Sequence, residues 1–174
     1  MEVVVLSSPS EEDWKRCLYL GRVTQGHEWP ENPPSSEWRK KIILSEHSPI
    51  RTLRWCIELR DIPYCNSVHF VRHKFGVEHY VRSQRSNEDR GAERQDAPVT
   101  HVMDINAAEL IAMSRKRLCN KADPTTRMIM EMIRSAVVCS DPEMKYVLVP
   151  ECVYRGNRCP ELKGCGRFPE INKE

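Results

Sequence analysis

Long apolar stretches are missing from this chain. Its longest runs, such as Val3-Val4-Val5-Leu6 and Tyr146-Val147-Leu148-Val149, hold four residues, far short of the ~20 that a bilayer-spanning helix needs. A membrane helix is excluded. The N-terminus also lacks the basic residues and longer apolar segment of an export signal, and carries the acidic Glu2 instead. The expected location is the cytosol. A dominant charge sign is missing too, since 27 Lys and Arg oppose 25 Asp and Glu for a net +2. That is too little for coating nucleic acid by bulk electrostatics, so any anion site must be local. No low-complexity tract, long linker or internal repeat interrupts the 174 residues, a length that fits one folded domain.

What is present reads as alternating strands and helices. Glu2 to Leu6 forms a short buried strand, and Ser8-Pro9-Ser10-Glu11 supplies a capping box with proline at the first helical position. Trp14, Cys17, Leu18 and Gly21 then recur at helical spacing. Prolines break the segment 27–36, and a helix follows from Glu37 to about Ser45. From Arg51 to Arg60, Leu53, Trp55, Ile57 and Leu59 alternate with polar residues, the period of a half-buried strand. Asp61 caps the next helix, whose packing stripe is Tyr64, Ser67, Val68 and Val71. Phe75 to Arg85 reads as extended and Ser86 to Val99 as a polar loop.

Two later helices are capped by Asp104 or Asn106 and by Asp123-Pro124. The first turns Ala107, Leu110, Met113 and Leu118 inward, the second Ile129, Met132, Ile133 and Ala136. Lys145 to Val149 is read as a last strand. The expected architecture is α+β, a small mixed sheet flanked by helices over 1–150 and an irregular Cys- and Gly-containing tail over 151–174.

Two features point to chemistry. His69, Arg72 and His73 share one helical stripe and Lys74 follows, a basic end that can hold a phosphate or an anionic ring, or can simply face solvent. Arg117 falls within the apolar stripe of Leu110, Met113 and Leu118, where a guanidinium needs an anionic partner, a ligand, or a route to the surface. Separately, Cys139, Cys152, Cys159 and Cys165 follow one another at spacings of 13, seven and six. Four thiolates would satisfy a tetrahedral zinc and staple the tail, the alternative being ordinary reduced thiols.

The order of these elements resembles the flavin-dependent thymidylate synthases as far as about Val137. The matching landmarks are His47-Ser48-Pro49, a strand, Ile62-Pro63, a helix ending in Val71-Arg72-His73-Lys74, and Asn106 followed by Arg117 and Ala122-Asp123. The resemblance implies that Arg72, His73, Lys74, Ser48 and Asn106 bind FAD. It also implies that His69, Arg72, Arg82 and Arg117 contact a pyrimidine deoxynucleotide monophosphate, with Arg117 polarising the base. The implied reaction passes a one-carbon unit from methylenetetrahydrofolate to C5 of dUMP, with flavin as hydride donor and NADPH as its reductant, in a homotetramer. Beyond Arg72 the family motif's serine, asparagine, glutamate, second serine and arginine are replaced by Val77, His79, Tyr80, Arg82 and Gln84. Arg82, Arg85 or Arg90 is left to take the place of a further phosphate-binding arginine. The alternatives are a catalytically silent flavin- or nucleotide-binding homologue and, more weakly, a zinc-stapled nucleic-acid-binding module. No aromatic residues interleave the arginines for the last of these.

Overall fold

The computed structural model describes residues 1–82 and 94–171. Gln84, Arg85, Arg90 and most of the expected 86–99 loop lie outside them. Four strands, β1 (Glu2–Ser7), β2 (Arg54–Pro63), β3 (Val77–Val81) and β4 (Pro98–Asn106), form one sheet in the order β1-β2-β4-β3. Every pairing is antiparallel. The α+β class stands, but the expected mixed sheet does not. β4 turns back between β2 and β3, so no parallel crossover is needed.

The helices are α1 (Glu11–Arg22), α2 (Ser36–Leu44), α3 (Tyr64–Val71), α4 (Ala107–Arg117), α5 (Pro124–Ser140) and the short α6 (Glu151–Tyr154). α1 is capped by Ser10 with Asp13 returning the bond, two residues later than the expected box from Ser8. β2 alternates as expected, with Trp55, Ile57, Leu59 and Ile62 fully buried. Along α3 the buried residues are Asn66, Ser67 and Phe70, while Val68 and Val71 are exposed. Polar Asn66 goes inside because Asp123 and Thr126 satisfy its amide, at 2.7 and 2.9 Å. The helix has no side-chain cap, and Asp61 instead lies in β2 with φ of 53°.

β4 was not visible as a strand because its inward residues are Val99, His101, Met103 and Ile105, and the buried histidine breaks the apolar alternation. The expected strand at 145–149 is a 3-10 turn, Pro142–Tyr146. Its amides bond locally, Met144 N–H to Asp141 O and Val147 N–H to Met144 O, and Pro142 sits where a helical turn begins. In α5, Met130 and Val137 join Ile129 and Ile133 in the core, whereas Met132 and Ala136 are half-buried.

These elements converge at one end of the sheet. A 3-10 turn, Ser48–Thr52, precedes β2. The Ala107 N–H bonds Leu53 O at 2.9 Å and the Asn106 N–H bonds Gly76 O at 2.8 Å. The start of α4 is thereby fixed against both the turn and the segment leaving α3. No helix of the described residues is long and apolar enough to cross a membrane.

Candidate functional site

Asn106 ends β4 and caps α4, its Oδ1 accepting the Glu109 N–H at 2.9 Å. A backbone N–H needs an acceptor, so the amide orientation is determined and Nδ2 remains as a donor beside Gly76. Gly76 has φ of 74°, and a Cβ there would lie 2.4 Å from that Nδ2. Only glycine allows both the left-handed backbone and this approach. Asn106-x-x-Glu109 has the capping-box spacing, yet Glu109 does not return to its cap. Its Oε1 accepts from His73 Nδ1 at 2.8 Å, both side chains being largely buried.

Arg51, Phe75, Gly76, Asn106, Ala108 and Glu109 border a cavity of about 390 Å³. Its wall is mixed in character. Arg51 is exposed and, among the described residues, pairs with no carboxylate. Phe75 leaves 84 % of its surface open.

Behind His73 a chain of histidines sets the protons. His79 Nε2 lies 2.8 Å from His73 O, so it donates to that carbonyl, and His79 Nδ1 must then accept from His101 Nε2 at 2.9 Å. His101 is fully buried, its Nδ1 has no partner, and burial followed by the nearby His79 pushes its pKa down to about 4. It is neutral near pH 7.

The second cluster lies where the end of α3 meets the end of α4. Arg117 Nη2 donates to His69 O at 2.5 Å, while its Nε is buried without a partner. Burial, then the neighbouring Arg72 charge, lowers its pKa from the ordinary arginine value. Among the described residues no carboxylate pairs with Arg117 or Arg72. Two close guanidiniums without a counter-charge form an anion seat.

Arg72, His69 and Arg117 are thus brought together, as are His73 and Asn106 through Glu109. Lys74 is exposed after α3, and Ser48 is exposed on the turn whose Arg51, not Ser48, borders the cavity. Arg82 is exposed just past the far end of β3, its N–H bonding Thr100 O at 3.0 Å. Arg51, Gly76, Glu109 and the His79–His101 pair were missed by reading the sequence. Only Glu109 left a signal there, in its capping-box spacing.

The cysteines separate. Cys139 is exposed on α5, while Cys152, Cys159 and Cys165 border a different cavity, of about 300 Å³, together with Cys119. Among the described residues no three His, Cys, Asp or Glu side chains are placed to hold a metal ion. The expected four-thiol zinc centre is not assembled, because α5 carries Cys139 away from the tail.

No protein-family model matches the chain, and no curated protein matches it. Solved structures do. Thymidylate Synthase X from Helicobacter pylori, crystallised with FAD and dUMP, superposes with a TM-score of 0.66 at 13 % identity over 85 % of this chain and 97 % of that one. A second structure of that enzyme with FAD and dUMP gives 0.64 at 14 % identity over 85 % and 98 %. The UMP/dUMP methylase PolB from Streptomyces cacaoi, bound with 5-Br dUMP, gives 0.62 at 10 % identity over 84 % and 96 %. At these identities the likeness is one of fold. The chain has the fold of the flavin-dependent thymidylate synthases.

Proposed function

We propose that this chain transfers a one-carbon unit from methylenetetrahydrofolate to C5 of a pyrimidine deoxynucleotide, dUMP to dTMP, using FAD and NADPH. The observation that carries the reading is the Arg72–Arg117 pair, two guanidiniums without a carboxylate partner among the described residues, in a fold whose neighbours hold FAD and dUMP. An anionic pyrimidine nucleotide supplies the missing charge. Arg117, set against the base, stabilises charge that spreads through the ring as C5 attacks the one-carbon carrier. His69 and Arg72 hold the nucleotide beside it, and the exposed Arg82 extends the basic surface.

The residues around Asn106 fit a flavin. Asn106 offers a free amide donor, Gly76 lets that amide pack where a Cβ would collide with it, and His73 keeps an unpartnered buried Nε2. Arg72, His73, Lys74, Ser48 and Asn106 are the residues to hold it, and bound flavin would supply the hydride that completes the transferred group. Val68 and Val71 on α3 and Tyr80 on the edge strand β3 are 40, 40 and 63 % exposed, apolar surface that supports a homo-oligomeric enzyme.

One observation favours a second reading, a homologue that binds flavin or nucleotide without catalysis. His79, at the position of the family's asparagine, spends both ring nitrogens on His101 and His73. FAD titration followed by absorbance tests the shared part of both readings. Saturable uptake is expected, weakened in Arg72→Ala by about ten- to a hundredfold for the loss of one charge-assisted contact. An absence of uptake overturns the first reading and reduces the second to a nucleotide-binding homologue.

A further inference from the structure

We propose that Asn106, Glu109 and Arg51 recognise the carbonyl, N–H, carbonyl edge of the flavin ring, with Glu109 as the residue that selects for the N–H. The inference rests on the flavin reading above and assigns that ligand's orientation. It starts from hydrogen-bonding capacity already spent. Asn106 Oδ1 is taken by the Glu109 N–H, so the amide N–H, packed beside Gly76, is the hydrogen-bonding capacity this lining residue has left. Glu109 Oε1 is taken by His73, so the carboxylate is held by that bond and its second oxygen is left as an acceptor. Arg51 contributes donors only. The lining therefore holds two donor groups and one acceptor group, beside the open face of Phe75, and the proposed contact sets the Glu109 acceptor between the two donors.

The complementary edge reads acceptor, donor, acceptor, which is the pattern of C2=O, N3–H and C4=O in the pyrimidine half of a flavin. Uracil carries the same edge. Flavin is assigned here because the anion seat at Arg117 lies eight residues further along α4, about 12 Å away at helical rise, leaving the nucleotide its own place. A carboxylate facing an N–H also rejects a ring methylated at that nitrogen, because the methyl group both removes the donor and fills the gap.

The test titrates FAD, 3-methyl-FAD, dUMP and 3-methyl-dUMP into the full-length protein, wild type and Glu109→Gln. Glutamine keeps the volume and still accepts from His73 through its carbonyl, but turns a second donor toward the cavity. Glu109→Ala is a second variant, and circular dichroism verifies that both are folded. Wild type is expected to prefer FAD over 3-methyl-FAD by about tenfold or more. The variants should lose that preference and weaken FAD without moving dUMP. A preference unchanged in both variants overturns the assignment while leaving the flavin reading intact. Loss of discrimination between dUMP and 3-methyl-dUMP instead overturns it in favour of uracil at this edge. If wild type takes up no FAD at all, the flavin reading fails and this inference fails with it.

Discussion

His101 makes the stability of the folded chain depend on pH in the mildly acidic range. Burial holds its pKa at about 4 in the folded chain against an ordinary 6.5. The folded state therefore resists a proton that the unfolded state accepts, and stability falls as pH drops from about 6.5 towards 4. The loss reaches about 3 kcal/mol across that window. Asp141 works in the opposite direction, because burial raises its pKa while it accepts from Trp55 Nε1 at 2.9 Å. Comparison of wild type with His101→Gln isolates the histidine. Urea unfolding between pH 4 and 7 should show a steep acid-side decline in wild type and a flatter one in the variant. Equal slopes would contradict the assignment of the decline to this group. Arg117 was legible in the sequence because a guanidinium amid an apolar stripe is conspicuous. His101 was not, since nothing local reveals that His79 and a β-sheet interior will enclose it.

Among the elements, α4 does most to position the site, and in the proposed reading Asn106 links its stability to ligand contact. As N-cap its Oδ1 satisfies the Glu109 amide, and as a donor its Nδ2 faces Gly76. The two roles separate by substitution. Asn106→Asp keeps a capping oxygen and should leave stability within about 0.5 kcal/mol of wild type, whereas Asn106→Ala loses the cap at about 1 kcal/mol. Both variants lose the amide donor, so both should weaken FAD in the titration described above. Thermal unfolding and FAD affinity measured together verify the split, and an Asp variant that binds FAD as wild type does would break it.

Elements whose own residues set their boundaries were readable in advance. α4 and α5 have Asn106 and Asp123 caps, and β2 has its strict alternation. Elements defined by distant partners were not. β4 is a strand because β2 and β3 flank it, and Asn66 turns α3 because Asp123 and Thr126 receive it. The tail resisted reading for the same reason. Its order comes from scattered bonds, such as the Cys159 N–H to Pro169 O and the Lys121 ammonium to Lys163 O, at 2.7 Å each.

For the whole molecule, the four-stranded antiparallel sheet of the described residues sets the Ser48–Thr52 turn and the segment leaving α3 against the start of α4, and the end of α3 against the end of α4. Two seats result, one beside Asn106 and Glu109 and one at Arg72 and Arg117. The expected four-cysteine metal centre is not assembled among the described residues, although Cys119, Cys152, Cys159 and Cys165 border a cavity that Arg117 borders as well. The proposed reading puts a flavin in the first seat and a pyrimidine nucleotide in the second, and the chemistry proposed requires both at once. The most direct measurement is release of tritium from C5 of [5-³H]dUMP, with dCMP labelled likewise as comparison. The protein is supplied with FAD, NADPH and methylenetetrahydrofolate. Release should require FAD and should fall by about two to three orders of magnitude in Arg117→Ala, the loss of one fixed electrostatic donor. Saturating FAD and nucleotide binding with no tritium released from either base would contradict the enzymatic account and leave a binding protein in its place.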